Sequence, residues 1–125
     1  MYPISDETPT LSIPAIKRGD SWSGMQITAE MLTDDAPETW APIVLTGAVI
    51  RVDFYLQGSE RKALALITGA GITITDAELG EFKFDQIENV TLAPGVYESD
   101  LQITVSSKTV TYCNMVWPIT NDKTK

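Results

Sequence analysis

The stretch Leu92 to Val105, reading Leu-Ala-Pro-Gly-Val-Tyr-Glu-Ser-Asp-Leu-Gln-Ile-Thr-Val, joins a turn, a tyrosine and an alternating strand in one run, and no other segment narrows the choice of fold as far. Pro94 presets its own φ and Gly95 tolerates a positive one, so residues 93–96 are predicted to turn the chain sharply into a strand. Tyr97 follows at the offset where a two-sheet β-sandwich buries a ring beneath a sheet corner and returns the hydroxyl to upstream backbone. Beyond it, Tyr97, Leu101, Ile103 and Val105 fall on one face and Glu98, Asp100, Gln102 and Thr104 on the other.

The rest of the chain repeats this style of short strand and turn. Leu11 to Ile16 is apolar but contains Pro14, which cannot donate to a ladder, so it is expected as an edge strand. Gly19-Asp20 signals a turn into a strand carrying Trp22, Met25 and Ile27, which passes into an irregular segment near Ala29 to Thr33. Asp34 to Pro42, with two prolines and three acids, is expected as a long exposed loop, and Trp40 within it either folds over the core edge or meets a partner. After a bend at Leu45-Thr-Gly47, Ile50, Val52, Phe54 and Leu56 alternate as a central strand. Gln57 to Glu60 turns into a hairpin partner over Ala63 to Ile67, Gly69-Ala-Gly71 reads as another hairpin turn, and Ile72 to Thr75 as a short strand. Asp76 to Gly80 is expected as one helical turn. Glu81 to Ile87 alternates with Phe82, Phe84 and Gln86 on one side, and Thr109 to Ile119 places Cys113, Met115, Trp117 and Ile119 on one face.

No helical period lasts beyond two turns. The predicted fold is all-β, an immunoglobulin-like Greek-key sandwich of about seven or eight strands, with a loose arm over 1–10, one domain over 11–119 and a polar tail over 120–125. At 125 residues and 43% hydrophobic content the chain can bury a core without disulfide or metal staples. Gly19, Asp20, Gly47, Gly95 and Tyr97 are expected to be structural.

Chemistry is sparse. The sequence contains no histidine, so Ser-His-Asp and Cys-His arrangements are excluded, and the single Cys113 reads as a small buried hydrophobe. Glu98 and Asp100 share a strand face that Asp53 could join, yet outward alternation favours a solvated or partner-facing surface over a catalytic pair. Asp34, Asp35, Asp76 and Glu78 do not reproduce the ligand spacing of a calcium loop. Arg18-Gly19-Asp20 matches the integrin-recognition tripeptide, but the turn already accounts for Gly19 and Asp20. With 17 acidic against 9 basic residues the net charge is -8, which repels a phosphate backbone. Neither a signal-peptide pattern nor a run of membrane-spanning length stands out, so synthesis in a cytoplasm is expected. No enzymatic activity and no cofactor are anticipated, and neither nucleic acid nor membrane is an expected partner.

The order of signals resembles a known family. Lys17-Arg-Gly-Asp-Ser-Trp22 after an edge strand, then Leu45-Thr-Gly-Ala-Val-Ile-Arg51, then Gly80-Glu-Phe-Lys-Phe84, then Leu92 to Leu101 is similar to the immunoglobulin-like N-terminal domain of the upper baseplate protein of tailed bacteriophages and prophages. The likeness spans about residues 11 to 118. It implies a non-enzymatic virion protein, made in the bacterial host, that docks in tail or baseplate onto other virion proteins or copies of itself. The receptor-carrying continuation of those baseplate chains has no counterpart after Lys125. Tyr2, Leu11, Ile13 and Trp40 are then the expected partner-binding residues, through strand addition at an edge or arm exchange. A second class of function is a carbohydrate- or host-surface-binding module, with Trp22, Trp40, Tyr55 and Tyr112 as a stacking platform.

Overall fold

The computed structural model describes residues 2–4, 10–35 and 38–121. Eleven strands occur among them: β1 (Tyr2–Ile4), β2 (Thr10–Ser12), β3 (Ile16–Lys17), β4 (Met25–Asp35), β5 (Glu38–Pro42), β6 (Val49–Leu56), β7 (Lys62–Thr68), β8 (Gly71–Asp76), β9 (Glu81–Phe84), β10 (Gly95–Val105) and β11 (Lys108–Thr120). The protein is all-β, with no helix among the described residues. One open, curled sheet runs β1-β4-β9-β8-β7-β6-β10-β11-β2, with β3 also on β11 and β5 on β4.

Alternation explains the centre of this sheet. Ile50, Val52 and Phe54 of β6, Tyr97, Leu101 and Ile103 of β10, and Cys113, Met115, Trp117 and Ile119 of β11 all point into one core. A chain of rings crosses that core. Phe84 of β9 stacks on Trp22 (centroids 6.2 Å apart), Trp22 meets Trp117 of β11 at 4.6 Å, and Trp117 meets Phe54 of β6 at 5.6 Å. Strands five steps apart in the sheet, β9 and β11, are thereby brought onto the same rings, which requires the sheet to curl over itself. The corner tyrosine closes the turn before β10: the Tyr97 hydroxyl donates to the Ala93 carbonyl at 2.6 Å.

Several expectations need correction. Tyr2–Ile4 is no loose arm but pairs parallel with Ile27–Ala29 of β4, and Ile4 is buried; the arm residues between Ile4 and Thr10 lie outside the described residues. The irregular segment near Ala29 and the loop beyond it are instead one hairpin: β4 continues to Asp35 and β5 returns along it, with Glu30 opposite Pro42 and Leu32 opposite Trp40. Asp76–Gly80 does form the single turn expected, with Asp76 Oδ1 accepting from the Leu79 N–H at 3.3 Å and Gly80 ending it at φ 69°, and it extends into no helix. At Gly69–Gly71 the chain does turn tightly, Ile67 and Ala70 exchanging backbone hydrogen bonds at 2.8 and 3.1 Å, but β7 and β8 then pair parallel, Ile67 with Gly71 and Thr68 with Ile72, and not as an antiparallel hairpin. Gln86 is exposed, outside β9. The expected edge strand splits around Pro14 into β2 and β3.

The β10–β11 hairpin turns through Ser106 (φ 51°) and Ser107 (φ 68°), both in the left-handed region that L-residues occupy at a cost. Ser107→Gly is expected to raise stability by about 0.5–1 kcal/mol, read as a higher urea midpoint with an unchanged slope.

Candidate functional site

Two surfaces are candidates. The first is an open groove of about 440 Å³ on the outer face of β6, β10, β11 and β2, lined by Thr10, Asp53, Tyr55, Glu98, Asp100 and Asn114. Strand pairing explains the gathering. Glu98 lies opposite Tyr55, Asp100 opposite Asn114, and Asn114 opposite Thr10, so their outward side chains fall in one row across the sheet.

The three carboxylates anticipated as a possible acid–base set therefore do lie along one groove. Two of them stand on a solvated strand face, and the third, Asp53, is partly buried between cations. Glu98 and Asp100 are exposed, and Gln57 Nε2 donates to Glu98 Oε1 at 2.9 Å. Asp53 is held by cations on both sides: Arg51 Nε reaches Oδ2 at 3.0 Å and Lys62 Nζ approaches Oδ1 at 3.4 Å. No group of three acidic or cysteine side chains converges with metal-ligand geometry among the described residues.

Beneath this face lies Cys113, paired with Leu101 at the bulge of β11. Burial, with a smaller push from Asp100, raises its thiol from 9.0 to about 11. Burial also raises Tyr97, with Arg18 pulling the other way. An acid whose folded-state value is raised favours folding while it is protonated, so the Cys113 contribution is complete below pH 9 and is lost as pH climbs toward 11. We expect the urea midpoint to fall between pH 9 and 11 more in the native sequence than in Cys113→Ala. The native thiol should also resist alkylation at pH near 8, by roughly a hundredfold relative to the unfolded chain.

The second surface is the β4–β5 hairpin. Met31 is 47% exposed, Trp40 39%, and at the hairpin base Val44 is 54% and Leu79 49% exposed. Val44 and Leu79 belong to one locality, because Leu45 N donates to Ala77 O at 2.8 Å and Gly80 packs against the carbonyls of Ala29 and Ile43. These four stand against only Val49 and Ile67 elsewhere among the large exposed hydrophobics of the described residues.

The expected partner residues separate sharply. The side chains of Leu11 and Ile13 are buried in the core, because β2 and β3 turn their apolar side under β11, while β2 itself ends the sheet order among the described residues. The Tyr2 side chain lies outside the described residues, as do those of Asp34 and Asp35. Trp40 is exposed, though on a strand and not in a loop. Gly19 (φ 96°) and Asp20 turn β3 away from β11, with Asp20 N donating to Lys17 O; Gly47 (φ 73°) completes the turn before β6; Gly95 opens β10. The four-ring platform is not assembled, since Trp22 is buried against Trp117 while Trp40 sits on β5. Sequence alone does not single out Met31, Val44 or Leu79, because Met31-Leu32 and Ile43-Val44-Leu45 are short apolar runs that do not say which side chain stays outside, and Leu79 stands alone in a turn.

Compared with known proteins, the chain matches no protein-family model, and no curated protein shows significant sequence similarity to it.

Proposed function

We propose that this chain is a non-enzymatic docking module of a tailed-phage or prophage virion, built as an immunoglobulin-like sandwich and made in the bacterial host. The observation that carries the docking role is the concentration of exposed apolar side chains on one hairpin and its base, on a surface otherwise acidic and polar. The sandwich reading draws on the strand order. It divides into β1-β4-β9-β8 and β7-β6-β10-β11-β2, the grouping of an immunoglobulin domain's two sheets, and the Tyr97 hydroxyl reaches upstream backbone as a corner tyrosine does. The virion context draws on the ordered motifs from Lys17 to Leu101. Its partners are other virion proteins or further copies of the chain, and it needs no cofactor.

Immunogold labelling and mass spectrometry of particles released by a host carrying this gene test the proposal. The chain is expected in purified particles at a fixed ratio to the tail proteins; its recovery only from the particle-free fraction would overturn the virion role.

A further inference from the structure

The β4–β5 hairpin has more exposed apolar surface than its own packing explains. Beyond Ala29 the ladder partner of β4 among the described residues is β5, and β5 has no second ladder partner among them. Each of its faces carries an exposed apolar side chain. Met31 lies opposite Ala41 and Trp40 opposite Leu32, successive pairs in the ladder, so Met31 and Trp40 project from opposite faces. A flat partner would cover one of them and leave the other in water. A cleft covers both.

Charge narrows the occupant. Over residues 25–42, which hold β4 and β5, the sequence has no lysine or arginine, while Glu30, Asp34, Asp35 and Glu38 are all acidic. A second copy would bring the same carboxylates against these, and like charges meeting at an interface oppose it. Nucleic acid and anionic lipid are disfavoured for the same reason. Resting on the docking reading above, we propose that the hairpin is an arm that inserts into an apolar cleft of a different protein, a cleft rimmed by lysine and arginine.

Photo-crosslinking tests this in the full chain expressed in its own host. Benzoylphenylalanine replaces Met31, Trp40 or, as a remote control, the exposed Val49 of β6, and thermal melting confirms that each labelled chain is folded. Positions 31 and 40 are expected to give adducts with the same protein, at least about tenfold above position 49, and the labelled peptide of that protein should lie beside clustered lysine or arginine. Glu30→Lys, or salt at about 0.5 M, should lower the yield severalfold. The arm is overturned by equal yields at all three positions, by adducts from only one face, by a chain-to-chain dimer, or by a yield indifferent to salt. An adduct with a protein absent from particles would leave the arm standing and remove the virion role; particles containing the chain without adducts at 31 and 40 would do the reverse.

Discussion

Gly24→Ala is expected to destabilise the protein by more than about 3 kcal/mol, because the new methyl group has no space to occupy. A Cβ at Gly24 would sit 2.0 Å from the Phe84 carbonyl oxygen and 3.1 Å from its carbon, both backbone atoms that cannot rotate aside. Backbone angle adds to the cost, since φ is 83°. The segment is fixed at each end: Trp22 and Ile87 exchange two backbone hydrogen bonds, at 2.7 and 2.9 Å, and Met25 pairs with Phe84. Relief of the clash must therefore move the end of β9, and Phe84 with it, out of the ring stack on Trp22. Gly58→Ala separates the two contributions. Gly58 has nearly the same φ, 85°, but open space around a built Cβ, so its substitution should cost only about 1 kcal/mol. Urea denaturation of both variants reads the difference directly, and equal losses would show that backbone angle alone governs Gly24.

Trp117→Ala should cost about 3–5 kcal/mol and leave the least cooperative transition of any single core truncation. Trp117 is fully buried and is the ring on which Trp22 and Phe54 both rest, so removing it opens a void between strands distant in the sheet. Its Nε1 is also buried and finds no hydrogen-bond acceptor among the described residues, so the indole N–H is desolvated without return. Trp117→Phe gives up that group and keeps much of the contact. It should lose about 1–2 kcal/mol, well short of the alanine variant, as measured by thermal and urea unfolding followed through near-ultraviolet circular dichroism. A phenylalanine variant as unstable as the alanine one would mean that indole shape, not ring contact, holds the layers together.

The legible parts of the fold were those decided within a few residues. Period-two alternation identified β6, β10 and β11, and Pro94-Gly95 with Tyr97 located the turn that β10 leaves from. What was illegible was decided across the chain. Tyr2–Ile4 carries no strand pattern of its own and becomes β1 only because Ile27–Ala29 offers an edge and a place for Ile4. Glu38–Pro42 looked like a loop because acids and prolines are poor strand formers, and tertiary context overrode that weak preference. Trp22 sits in a single β-bridge to Ile87, and its contact with Trp117, ninety-five positions away, carries no local signal. At the candidate site, the row of Asp53, Glu98 and Asp100, and Arg51 beside Asp53 on the same strand, could be foreseen from parity, whereas the second cation on Asp53, Lys62, depends on the register between β6 and β7.

The first strands lie at opposite ends of the sheet: β1 on β4, and β2 with β3 on β11, where Thr10 pairs with Asn114. A ribosome adds Thr10 about a hundred residues before Asn114, so this seam waits for all of the intervening chain to emerge before it can zip. Until then the β2 segment is an unclaimed ribbon, open to capture by a chaperone or by the unfinished edge of a neighbouring nascent chain.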